Sequence, residues 1–294
     1  MNDTAPAAPD GVTIGVDIGG TNIRAGRVNR NGRIEGHLRV RTHSATHAQD
    51  LVRELVSRLL DDSVVGVGVG IPGRLDPAGT TVLSSGYVDL AGLRLGELLA
   101  AEVQRPTVLA NDASMALAGE LRLGAAVGAD HVAMFTVGTG VGGAIAIDRQ
   151  VIRGRANAGQ LGHLTVDPSG PRCNCGRRGC IEVLGSGTAL DRLVRQAGLP
   201  AGTTAEELLD GQEGSTAAAV LARWARAWRC AIDTVVAALD PDLILLGGGL
   251  GAAAVAAIEA HAPAISPWFD RPVAPAGLGD DAGVIGAGLQ AFPS

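Results

Sequence analysis

The chain has 294 residues, 46% of them hydrophobic and 18% charged, with a formal net charge of −6 at neutral pH. That composition excludes a disordered chain, and the acidic balance argues against nucleic acid or an anionic membrane as partner, since both need a basic field. The length suits two domains better than one, and no apolar run is long enough to cross a membrane.

Aromatic residues make up only 2% of the chain, so Val, Ile, Leu and Ala must build the core. Such a palette suits buried parallel strands under Ala/Leu helices. The 43 glycines follow no fixed period, which rules out collagen and linker readings. Met1–Asp10 is rich in Ala and Pro, with no basic start and no apolar core. It is therefore expected not to be a signal peptide, which implies a cytoplasmic protein with reduced cysteines.

In chain order, the first strand is expected at Val12–Ile18, closing on Asp17 and the turn Gly19-Gly20-Thr21. Strands follow at Arg24–Val28 and Ile34–Val40, with Asn31-Gly32 between them as a hairpin signal. Leu51, Leu55 and Leu59 predict a helix over Ala48–Leu60. A strand at Val64–Ile71 runs into Pro72-Gly73, and a short helix is expected at Leu95–Glu102. The strand Thr107–Ala110 leads to Asn111-Asp112, which opens another helix.

The pattern then restarts. Val132–Val137 is an apolar strand ending in Gly138-Thr139-Gly140, and Gly143–Ile147 is the next strand. A strand, a Gly/Thr turn and a strand thus occur twice, which is what a two-lobed nucleotide clamp needs. Helices are predicted over Gly187–Gln196, Thr204–Leu209 and Ser215–Leu239. Trp224 and Trp228 lie one turn apart in the last of these, as core residues, and Cys230 beside them is expected to be buried. The strand Leu243–Leu246 enters Gly247-Gly248-Gly249 and an Ala-rich helix, and a helix at Ala282–Ala291 closes the chain.

Two readings are open for each candidate motif. The N–H groups of Gly19, Gly20 and Thr21 can approach a phosphate closely, with Asp17 on the metal side of a bound Mg-nucleotide, or the segment is an ordinary turn. Gly138-Thr139-Gly140 has the same character. Neither is a P-loop, because no Gly-Lys-Ser/Thr follows, and neither is a dinucleotide fingerprint, because each leads into a strand. Gly247, Gly248 and Gly249 could let an adenine or ribose lie on the backbone, or simply turn the chain from strand to helix. Asp112 is either a helix N-cap or a general base for a hydroxyl that attacks a γ-phosphate. His163 with Cys173, Cys175 and Cys180 supplies one imidazole and three thiolates, a complete tetrahedral zinc shell with no position left for water. Such a zinc is structural.

These residues are those of a known family. Asp17-Ile18-Gly19-Gly20-Thr21-Asn22, Asn111-Asp112, Gly138 to Gly143, and Gly162-His163 with the Cys-x-Cys-Gly-x-x-Gly-Cys-x-Glu run ending at Glu182 resemble the ROK family (repressors, open reading frames and sugar kinases). The resemblance spans Gly15 to about Ala287. It implies an α/β protein of two actin-like (ribonuclease H-like) ATPase domains with ATP in an inter-lobe cleft. The lobes would be residues 1–113 with about 278–294, and 114–277 with the zinc segment 163–180. It implies Asp112 as catalytic base towards a 6-type primary hydroxyl, and Asn111, Asp89, Gln160, His163 and Glu182 as substrate contacts. Asp17, Gly19, Gly20, Thr21, Asn22, Gly138, Thr139, Gly140 and Gly247–Gly249 would serve ATP and Mg2+.

The sequence departs from the family pattern at three places. Gln160 stands where family kinases carry Glu, Ser114 where they carry Asn, and Val88-Asp89-Leu90 where they carry Pro-Asn-Leu. A carboxylate accepts a hydroxyl bond worth about 1.5–3 kcal/mol and a neutral amide about 0.5–1.5, so Gln160 alters substrate contacts. Glucose is the default acceptor, with an N-acylhexosamine or a C7 cyclitol as alternatives and a non-catalytic sugar sensor as a further one. A repressor is disfavoured, because sixteen residues precede Asp17, too few for a helix-turn-helix. The family also suggests a homodimer.

Overall fold

The computed structural model of the chain describes residues 11–41, 48–86, 88–200, 202–210 and 214–293. The stretch read above as no signal peptide, Met1–Asp10, lies outside them. The chain forms two compact units, residues 1–119 with 281–294, and residues 120–280.

The first unit is built on β1 (Val12–Ile18), β2 (Asn22–Val28), β3 (Ile34–Arg41), α1 (Ala48–Leu59), β4 (Val64–Ile71), β5 (Gly73–Leu75), β6 (Val82–Ser85), α2 (Leu95–Val103), β7 (Thr107–Asn111) and α3 (Asp112–Leu123). Its main sheet has the order β3-β2-β1-β4-β7. β1–β2 and β2–β3 pair antiparallel, while β1–β4 and β4–β7 pair parallel. Side-chain alternation explains how this sheet is covered. Ile14, Val16, Val67, Val69 and Ile71 are fully buried in one core with Val52 and Leu55 of α1.

On the intervening positions the strands carry Gly15, Gly66 and Gly68. A Cβ there would fall on the carbonyl oxygens of Val284, Ala291 and Ala287. Without side chains, the sheet lets the C-terminal helix lie directly against its backbone. Buried Thr13 strengthens that seam by donating from Oγ1 to the Gly288 carbonyl at 2.8 Å.

The second unit repeats the plan with β8 (Val132–Val137), β9 (Val141–Ile147), β10 (Gln150–Val151), α4 (Ile181–Gly185), α5 (Gly187–Gln196), α6 (Ala205–Leu209), α7 (Ser215–Leu239), β11 (Leu243–Gly247), α8 (Gly251–His261) and β12 (Val273–Pro275). The sheet order β10-β9-β8-β11-β12 has the same mixture of antiparallel and parallel pairs as the first. Trp224 and Trp228 on α7 are fully buried, and Phe135 meets Trp228 edge-on at 5.2 Å between centroids. Glu120 is also fully buried. Its side-chain oxygens accept the N–H groups of Ala125 (2.7 Å), Gly277 (3.0 Å) and Leu278 (2.8 Å), so the buried polar group is satisfied. The last helix, α9 (Ala282–Gln290), belongs to the first unit.

The predicted elements recur with small differences. β9 starts at Val141, two residues before the expected position, and β5, β6, β10, β12 and α4 are short elements without a periodic signature. Cys230 is exposed, contrary to expectation, because it falls on the outer face of α7 between buried Trp228 and Ala231. Among the described residues, no helix is long and apolar enough to cross a membrane.

Candidate active site and metal centre

In the first unit, the hairpin turn between β1 and β2 is closed by the Gly19 N–H donating to the Asn22 carbonyl at 2.9 Å. Gly20 and Thr21 at its tip are exposed. Asp17, one residue before the end of β1, is half-buried with Arg24 at 3.9 Å. A Cβ on Gly283, in the first turn of α9, would come within 2.6 Å of the Asp17 carboxyl carbon. Asp17 therefore sits against the opening turn of a helix, where negative charge is favoured.

β7 delivers Asn111 and Asp112 to the same end of the sheet. Asn111 is the N-cap of α3: its side-chain oxygen accepts the Ser114 N–H at 3.2 Å, while Nδ2 donates to the Gly73 carbonyl at 3.0 Å. The capping role expected of Asp112 thus falls to its neighbour. The Asp112 carboxyl accepts the Ala113 N–H at 2.8 Å and also interacts with the Asn111 side chain. Burial, and next the charge of Asp17, push the Asp112 carboxyl up from the ordinary carboxylate range to about 7. Gly70 permits this crowding, since a Cβ there would meet Asp112 Cα at 3.3 Å and Asp17 Oδ1 at 3.6 Å. The sequence flagged both acids but not Gly70 or Gly283, whose spacing carries no signal until the strands are paired. Asp89 is exposed in the loop after β6, without an ion pair among the described residues. That loop is held by Ser85, whose hydroxyl bonds the Val88 carbonyl and accepts the Leu90 N–H at 3.3 Å.

In the second unit, the β8–β9 turn is the counterpart of the first and one residue shorter. The Gly138 N–H donates to the Gly140 carbonyl at 3.0 Å, and Thr139 is exposed. α5 is moored to it, with Gly187 N–H on the Gly138 carbonyl (2.8 Å) and Thr188 Oγ1 on the Thr139 carbonyl (2.8 Å). A Cβ on Gly138 would meet nothing within 4 Å. At the third turn, Gly248 has φ +78° and a Cβ would lie 2.6 Å from the Val137 carbonyl oxygen. Turning from β11 into α8 is by itself enough to demand glycine there.

The ligand atoms of His163, Cys173, Cys175 and Cys180 all lie within 4.8 Å of one another. Cys175 Sγ and Cys180 Sγ are 3.5 Å apart, and Cys173 Sγ lies 3.6 Å from His163 Nδ1. A tetrahedron with bonds of about 2.0–2.3 Å has edges of about 3.5–3.8 Å, so these two edges already match a zinc-like cation, and the remaining separations close on it by about 1 Å at most. The glycines make the wrap: Gly176 turns at φ +90°, and a Cβ on Gly179 would fall on the Asp167 carbonyl oxygen. Burial pushes the Cys173 thiol up to about 12, so cation binding must displace protons. The cluster also organises two expected substrate contacts. His163 ends the one-turn helix Leu161–His163, which Gln160 precedes, and Glu182 Oε1 lies 3.7 Å from Cys173 Sγ in the first turn of α4.

Residues 13–291 match the ROK family model. The chain belongs to the ROK family. Curated ROK-like relatives include the glucokinase of Streptomyces coelicolor, 35% identical over 94% of this chain and 96% of that protein. The N-acetylmannosamine kinase of Vibrio vulnificus is 32% identical over 94% of this chain and 97% of its own. Among solved structures, the ROK family glucokinase of Streptomyces griseus in complex with glucose and AMPPNP superposes with a TM-score of 0.83 at 32% identity, covering 96% and 99% of the two chains. The duplicated sheet is accordingly the actin-like architecture of ROK proteins.

Proposed function

We propose that this ROK protein is a cytoplasmic kinase that transfers the γ-phosphoryl group of ATP to a primary, 6-type hydroxyl of a hexose, with glucose as the first acceptor. The observation that carries the proposal is the pair Asp112 and Asp17. A carboxyl raised to about 7 by burial and a neighbouring acid is matched to taking a proton near neutral pH. Glucokinase relatives at up to 35% identity favour glucose. The N-acylhexosamine reading is kept because N-acetylmannosamine kinases match almost as well and because Gln160 can donate where a carboxylate could not.

In the proposed step, Asp112 accepts the hydroxyl proton as the sugar oxygen bonds to the γ-phosphorus. The bond from that phosphorus to the β–γ bridging oxygen breaks, and ADP leaves with its electron pair. N–H groups of the turns at Gly19–Thr21 and Gly138–Gly140 would hold phosphate oxygens, and Asp17 would face the Mg2+ that travels with the nucleotide. A bound magnesium ion supplies charge neutralisation at the phosphates. Asn111, His163, Glu182, Gln160 and Asp89 would bind the other hydroxyls, and structural zinc on His163 and the three cysteines would fix His163 and Glu182 in place. Homodimerisation is part of the proposal, checked by a solution mass twice the 29.6 kDa of one chain.

The test is ADP release with glucose, N-acetylmannosamine, N-acetylglucosamine and a C7 cyclitol. Turnover on at least one, with product phosphorylated at the primary hydroxyl, is the expected result. Sugar binding by calorimetry without turnover on any of them would replace the kinase by a sensor.

A further inference from the structure

Positive charge gathers on the second and third strands of the first unit. Residues 22–41 hold six arginines and a single acid, Glu35, in a chain whose formal net charge is −6. Strand alternation sorts these residues by face. Leu38 and Val40 of β3 pack against the core of the first unit, so His37, Arg39 and Arg41 lie on the opposite face, all exposed. That face meets the start of α9: His37 Nε2 lies 3.5 Å from Oδ1 of Asp281, the N-cap residue of the helix.

Strand register fixes where the charges stand. Arg41 is directly opposite Asn22, whose carbonyl accepts the Gly19 N–H and closes the Gly19–Thr21 turn. Arg39 is directly opposite Arg24, which in turn is opposite Asp17 on β1 and 3.9 Å from its carboxylate. Three arginine positions thus share one face at the turn end of the sheet. Like charges facing each other across strands destabilise a sheet. Neither Arg39 nor Arg41 has a carboxylate partner among the described residues to offset that repulsion. Guarding the open edge of β3 requires charge of either sign, not a cluster of one sign at one end. A polyanion beside the turn would relieve the repulsion and use the field.

We propose that Arg39 and Arg41 are donor-specificity residues, whose field beside the Gly19–Thr21 turn selects phosphoryl donors by the charge of their phosphate tail. This inference deepens the kinase reading and rests on it for the identity of the anion. The attraction acts without contact, because at about 0.1 M ionic strength a charge is felt over about 10 Å, roughly twice the spacing of neighbouring strands. A triphosphate gains most from it, and each phosphate removed gives up part of the attraction.

The experiment uses full-length Arg39→Gln, Arg41→Gln and the double variant, with Arg33→Gln as control. Arg33 is an exposed arginine just before the far end of β3, about 26 Å along the strand from Arg41 and therefore screened from the turn. Readouts are calorimetric affinities for ATP, ADP, AMP and inorganic tripolyphosphate at 50 and 500 mM salt, with kcat, both KM values and Tm. The double variant is expected to weaken ATP and tripolyphosphate roughly 5- to 30-fold at low salt, ADP less and AMP least. The loss should shrink at high salt. It should leave kcat within about threefold, the sugar KM unmoved and Tm no lower, since only exposed like charges are removed. Arg33→Gln should change none of the affinities. An unchanged affinity for ATP, an equal loss for ATP and AMP, a loss that survives 500 mM salt, or the same loss in Arg33→Gln would each overturn the assignment. Aggregation of the double variant with normal ATP affinity would instead give these arginines to guarding the edge. A wild type that binds ATP and tripolyphosphate but phosphorylates no sugar would sink the kinase reading while the affinities still judge the arginines; one that binds neither would overturn both.

Discussion

In the proposed reaction Asp112 is the base, and its environment gives its pH dependence a sign. As a base it must be ionised, and its carboxyl is raised to about 7 by burial and then by Asp17. kcat/KM should therefore climb with pH through about 7 and level off above it, falling tenfold per pH unit on the acid side. Asp112→Asn should lower kcat on the order of 10²–10⁴-fold at pH 8. Stability runs the other way. The folded protein holds this proton above the pH where the unfolded chain releases it, so ionisation opposes folding progressively from about pH 4 to about 7. Asp112→Asn should melt higher than wild type at pH 8 and show a smaller gain at pH 5. A slow variant that melts lower at pH 8 would mean that Asp112 is structural. Gly138 offers a complementary test, because its Cβ position is open and its φ is not in the left-handed region. Gly138→Ala should leave Tm unchanged while raising the KM for ATP several-fold, as expected if the hydrogen is there for a phosphate. A normal KM for ATP would assign that glycine to the turn alone.

At the scale of elements, what could be read in advance was the periodic part. β1, β4, β8 and β11 are apolar runs leading into glycine turns, β7 is an apolar run between Pro106 and Asp112, α1 and α7 carry helical spacing, and these set the sheet order once paired. Two kinds of feature were not legible. The alternation of Val and Gly along β4 reads as a weak strand, and only the helix lying on Gly66 and Gly68 explains it. Cys230, a lone cysteine in a helical stretch, was expected to be buried, but two residues past Trp228 the helix turns it to the outside. The cysteine segment, by contrast, was readable in full, because metal-ligand spacing is local and the glycines that wrap it sit between the ligands. Its prediction is correspondingly definite. Metal analysis should find about one zinc per chain, and chelation should raise the sugar KM through His163 and Glu182 before it affects the KM for ATP. Cys175→Ser should leave the segment unable to fold at normal temperature, given that structural zinc contributes on the order of 10–16 kcal/mol of apparent binding energy. A metal-free protein with an unaltered sugar KM would remove zinc from the proposal.

The whole molecule is two copies of one topology, and each copy carries its own hydrophobic core. Ile14, Val16, Leu55, Val67 and Leu99 belong to one cluster, and Phe135, Trp224, Trp228, Ile232 and Leu246 to the other. Each unit thus has a core of its own to melt, and a single cooperative transition of the full chain does not follow from either core alone. The zinc quartet lies entirely in the second unit, whereas the glycine seam under α9 lies entirely in the first. A metal held by that quartet would therefore act on the second core. Scanning calorimetry should show chelation lowering the transition that also changes Trp224 and Trp228 fluorescence, since both tryptophans pack in the unit that carries the quartet. The transition of the other unit should stay within a few degrees of its original midpoint, because it loses no ligand. If both instead shift together by the same amount, folding of the two cores is coupled, and the zinc stabilises the whole chain.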